Sequence, residues 1–155
     1  MPRGRFIALV AAAVGVALGG CGAKKNDLAP AACLAPTDAY LSALERAPAE
    51  VRLAGSIRIS ECLVPEQGGG QLFNVGQPMV EAATQLNFRG RHGSDAAALQ
   101  LGYLIGAVSK GADTIHTDLV RRLNSAAQFS PTGTTLPASF QRAFGRGYAA
   151  GHTSG

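Results

Sequence analysis

The chain of 155 residues contains no tryptophan, nine other aromatic side chains, three cysteines and only 15% charged residues. Sparse charge beside 46% apolar residues excludes a chain that stays disordered throughout. No glycine period and no heptad run occur, which excludes a collagen and a coiled coil. None of the cysteines lies in a C-x-x-C or a Cys/His cluster, so dithiol redox chemistry and zinc binding lack their spacing. His92, His116 and His152 are scattered, with no carboxylates at ligand spacing, and no metal is expected. No serine stands in G-x-S-x-G or ahead of a lysine three residues on, so acyl-enzyme chemistry has no support. Gly68 to Gly70 lacks the Lys-Ser/Thr ending of a phosphate loop and reads as a turn. These gaps leave no catalytic residue and no cofactor to assign. The length fits one small domain.

What is present begins at the N-terminus. Arg3 and Arg5 precede an uncharged Ala/Val/Leu-rich stretch from Phe6 to Leu18, long enough for a signal peptide and short of the ~20 residues that span a bilayer. It closes on Leu18, Gly19, Gly20 and Cys21. That tetrapeptide resembles the lipobox of bacterial lipoproteins: Leu three places before the Cys, two small residues, then the Cys. The resemblance covers residues 1–21 alone. It implies cleavage after Gly20 and a diacylglycerol thioether on Cys21. Acyl chains worth ~0.8 kcal/mol per buried methylene would then hold the protein on the outer face of a cell membrane. The alternative, an uncleaved membrane helix, draws on the absence of charge from Phe6 until Lys24, but a spanning helix would favour aromatic and basic residues at its outer end over Gly-Gly-Cys-Gly.

Removing residues 1–20 lowers the formal charge from +4 to +2. Arg outnumbers Lys 11 to 3 without forming a basic stripe, so no nucleic-acid partner is expected. With Cys21 used by the anchor, Cys33 and Cys62 remain as one pair in a compartment where disulfides persist, and they are expected to be bonded.

Residues 21–36 carry two lysines, prolines and small residues and read as a tether, in which Lys24 and Lys25 could lie near anionic headgroups. Residues 37–127 read as a helical domain. A first helix starts at Thr37, with Tyr40, Leu41, Leu44 and Ala47 on one face before Pro48. Residues 49–59 are ambiguous between alternation and helix; a short helix, a break at Gly55 and a new start capped by Ser60 are expected. Leu72, Val75, Met79, Val80, Ala83 and Leu86 predict a helix over 71–88, kinked or restarted at Pro78. Residues 89–93 read as a break. Ser94 and Asp95 start an uncharged helix over 96–109, apolar on more than one face and therefore central. Asp113 or Thr114 caps a further helix with Ile115, Leu119, Val120 and Leu123 inward and an Asp118–Arg122 pair outward. Residues 128–155 form a linker rich in Pro, Gly and hydroxyls, then a short aromatic helix or tail. No strand stands out. The whole reads as an all-α, small antiparallel bundle of four to five helices after a cleaved signal peptide.

Two constellations invite function. Ala98, Gly102 and Gly106 lay small residues at four-residue spacing along the central helix, and each internal Gly costs about 1 kcal/mol of helix propensity. Either a neighbouring helix approaches closely there, or a narrow apolar ligand slot opens beside Tyr103. Near the C-terminus Phe140, Phe144 and Tyr148 form a stripe in a segment whose Gly145, Gly147 and Gly151 weaken it as an isolated helix. It should be helical only when docked, on its own bundle, on a partner or on a membrane. His116 reads as a packing histidine. The expectation is a lipid-anchored, extracytoplasmic protein that binds or scaffolds at the cell envelope without catalysis. Its partners are the membrane, through the acyl anchor, and an envelope protein; a binder of a small apolar ligand or lipid in the bundle interior is the alternative.

Overall fold

A computed structural model describes residues 28–128, 133 and 135–155. The signal peptide, Cys21, Lys24 and Lys25 lie outside the described residues. Five α-helices are described: α1 (Thr37–Leu44), α2 (Gly69–Arg91), α3 (Asp95–Gly111), α4 (Thr117–Gln128) and α5 (Ala138–Ser154). The fold is all-α apart from one small hairpin, β1 (Arg52–Leu53) with β2 (Ile57–Arg58). No described helix is long and apolar enough to cross a membrane.

The hairpin replaces the short helix expected over 49–59. Ala54 and Gly55 both take positive φ, and Ser56 N–H donates to Leu53 O, which is the turn geometry that suits a two-stranded ribbon. Val51, Leu53 and Ile59 are thereby buried on one side. The helix expected from Ser60 is a single 3-10 turn, Ile59–Cys62, whose Glu61 carboxylate accepts the backbone N–H of Arg58 at 2.8 Å.

α2 is longer than the 71–88 expected and runs through Pro78, Gly69, Gly70 and Gly90 without a break. Gly90, read as a helix stop, is helical because it forms a seat: a Cβ there would come within 2.7 Å of the Phe140 ring. Tertiary packing overrides the propensity. Ser94 caps α3 as expected, its Oγ accepting Ala97 N–H. Leu101, Tyr103, Leu104, Ile105 and Val108 are all buried, which makes α3 the centre of the core. Asp113 caps a 3-10 turn, Thr114–His116, and α4 follows it. That turn rotates the register. Ile115, expected inward, is 43% exposed, and His116 takes the buried place instead. Asp118 pairs with Arg121 rather than Arg122.

Helices α2 to α5 alternate in direction, so α3 and α5 run parallel. Both ends of the described chain pack onto the bundle. Residues 28–36 are packed rather than a free tether: Ala29 and Cys33 are buried, and Ala29 N–H donates to Gln71 Oε1 in the first turn of α2. The Cys33–Cys62 disulfide ties this segment to the 3-10 turn before α2, and the buried Tyr40 hydroxyl donates to Cys33 O at 2.8 Å. Burial pushes the Tyr40 phenol pKa well above its usual range. At the other end α5 is an integral helix, with Phe140, Ala143, Gly147 and Gly151 buried.

Candidate functional site: the groove between α4 and α5

The two constellations read from the sequence meet each other. Gly102 and Gly106 of α3 face the backbone of α5, where a Cβ would overlap the carbonyl oxygens of Phe144 and Tyr148. Gly147 and Gly151 of α5 face α3 in turn, and a Cβ on either would overlap the carbonyls of Leu99 and Tyr103. Backbone lies on backbone, an approach that leaves no room for a side chain at any of the four positions. The α5 main chain fills the space beside Tyr103 that would have been a ligand slot. Tyr103 is buried as a crosspiece: its hydroxyl accepts Val51 N–H at 3.0 Å and shares a hydrogen bond of 3.2 Å with Ser154 Oγ. Ala98 lies against the Gly90–Phe140 contact.

Because the glycines seat α5 on α3, its aromatic stripe turns along the edge of the bundle. Phe140, Phe144, Tyr148 and His152 form a ladder with successive ring centroids 6.3, 6.5 and 6.1 Å apart. Exposure grows along it. Phe140 is buried, Phe144 is half-buried, and Tyr148 is 37% exposed.

The buried end of this ladder borders an open groove of about 230 Å³, lined by Asn124, Ala127 and Gln128 of α4, by Leu136, and by Phe140, Gln141 and Phe144. The floor is apolar. Among the described residues the rim carries three carboxamides and no charged side chain. Asn124 donates to Val120 O and Gln141 to Leu136 O, both at 2.9 Å, which fixes how these amides point. Arg91 reaches over from the end of α2 and donates to Gln128 O.

The histidines stand apart from the groove's lining. His116 is fully buried, with Nε2 3.2 Å from Gln67 Oε1 and Nδ1 3.1 Å from Asp113 N and 2.8 Å from Asp113 Oδ1, and it locks the turn before α4 to the loop before α2. His92 ends α2 against Phe88. Among the described residues no three His, Cys, Asp or Glu side chains group as metal ligands.

Sequence reading singled out Phe140 and Phe144 but missed Asn124, Ala127, Gln128, Leu136 and Gln141, because these meet only once α4 and α5 are placed. A signal was present in the chain. Gly147 and Gly151 repeat the four-residue spacing of Gly102 and Gly106, and two such strips together specify a close pair of helices. No known protein family, curated protein or solved structure matches the chain.

Proposed function

We propose that this is a lipid-anchored, extracytoplasmic, non-catalytic binding domain that holds an apolar side chain of a partner protein's exposed segment in the α4–α5 groove. The observation that carries the reading is where the groove lies. The chain joins the bundle at Ala29, beside the first turn of α2, whereas Arg91 at the far end of α2 reaches the residue that rims the groove. A helix of 23 residues spans about 34 Å, so an anchor at Cys21 would leave the groove facing away from the bilayer.

The chemistry supports a peptide. At about 230 Å³ the groove is smaller than the ~300–1,000 Å³ of clefts that enclose a drug-sized molecule, and suits one apolar side chain. Carboxamides offer a donor and an acceptor together, matching the peptide groups on either side of such an anchor. The bundle interior, the alternative location for an apolar ligand, is taken up by α5 on α3.

A photo-crosslinking residue at Gln141, in cells producing the anchored protein, tests this. A discrete protein adduct is expected, and Ala127→Leu, which fills the groove, should abolish it while leaving melting close to wild type. An adduct that survives Ala127→Leu, or no protein adduct at all, would refute the reading.

A further inference from the structure

Six large apolar side chains are exposed among the described residues, and three of them gather at one end of the bundle. Leu28 is 79% exposed and precedes Ala29, which is bonded to the first turn of α2. Phe73, 54% exposed, opens the second turn of α2 and flanks a shallow cleft it shares with Asp118 and Leu119. Ile115, 43% exposed, neighbours His116, whose ring is bonded to Gln67 just before α2. This is the end where the chain arrives from Cys21.

We infer that this end of the bundle rests on the bilayer, with Leu28, Phe73 and Ile115 entering the headgroup region. The inference rests on acylation of Cys21. Leu28 follows Cys21 by seven positions, and seven residue steps span at most about 25 Å, so the bundle cannot move far from the membrane that holds the acyl chains. Apolar side chains kept at that distance meet the lipid interface at high local concentration, and Phe and Leu are side chains that partition there. Charge at this end is mixed. Glu66, Asp113 and Asp118 stand against Lys110, Arg121 and Arg122, so the contact is apolar rather than a response to anionic lipid. The docked pose also turns the α4–α5 groove outward.

The absence of tryptophan supplies the test. Phe73→Trp and, separately, Phe88→Trp at the opposite end of α2 are made in the acylated full chain and bound to phosphatidylcholine vesicles with brominated acyl chains. Phe88 is 62% exposed, so either indole is accommodated, and unchanged melting verifies it. The F73W indole should be quenched several-fold more than that of F88W, unaffected by high salt, and Leu28→Glu with Ile115→Glu should remove the difference. Equal quenching of the two indoles in a chain whose mass shows the acyl group overturns the docked pose and leaves the anchor standing. A mass showing unmodified Cys21 defeats the anchor and the docked pose with it.

Discussion

Two glycines of α5, two residues apart, should respond to the same substitution with opposite signs. Gly145 is exposed, and nothing lies within 4 Å of a Cβ placed on it. Gly147 faces α3, where a Cβ would overlap Leu99 O and come within 2.8 Å of Leu99 C. In both positions alanine gains about 1 kcal/mol of helix propensity. At Gly145 that gain stands alone. At Gly147 the obstruction is backbone rather than the end of a flexible side chain, so α5 must lift off α3 until the methyl reaches ordinary contact distance. Overpacking of this kind costs about 1–3 kcal/mol and more when the neighbours cannot yield. Lifting α5 also loosens the hydrogen bond from Tyr103 to Ser154 and the ring of Phe140 on Gly90. The net loss for Gly147→Ala is about 1–2 kcal/mol, a fall of about 5 °C in Tm for a chain of this size, against a rise of about 3 °C for Gly145→Ala. Thermal denaturation followed by circular dichroism measures both. A Gly147→Ala protein that melts at or above wild type would refute the backbone contact between α3 and α5.

The disulfide closes a loop with a sequence separation of 29, so Cys33→Ser should cost about 3–4 kcal/mol in denaturant titration, and the oxidised protein should show no thiol at positions 33 or 62; an unchanged midpoint would mean that the bond carries no stability. The Glu61 carboxyl is held below its usual pKa, first by the Arg58 backbone N–H and further by the Arg58 side chain. Its folded pKa is thus lower than its unfolded one, so its contribution is present above the unfolded value and is lost as pH falls through the folded value. Glu61→Gln should therefore flatten the acid side of the Tm–pH profile and leave the neutral side level; a parallel profile would show that Glu61 contributes nothing there.

The helices were legible where apolar periodicity and a cap coincided, as in α3, where Ser94 and the uncharged run after Asp95 specify start and core together. Legibility failed where long-range packing decided. Gly90 looks like a stop because a glycine inside a helix is costly, and only Phe140, fifty residues on, gives it a reason to be helical. The hairpin hides in seven residues whose alternation is too brief to outweigh Glu50 and Arg52, both suited to a helix. Ile115 faces outward because one 3-10 turn shifts the register ahead of α4, while His116 packs inside as its place beside Val120 suggests. The small residues of α3 announced a close neighbour without naming it. The groove was half legible: two of its aromatics formed a visible stripe, while its carboxamides resemble any solvated helix face until α4 lies beside α5.

The mass of the N-terminal peptide isolated from cell membranes tests the lipid-anchored assignment most directly, because both the outward-facing groove and the membrane-resting end depend on it. The account predicts that residues 1–20 are absent and that Cys21 carries a diacylglycerol thioether; a chain beginning at Met1 with an unmodified Cys21 would contradict it.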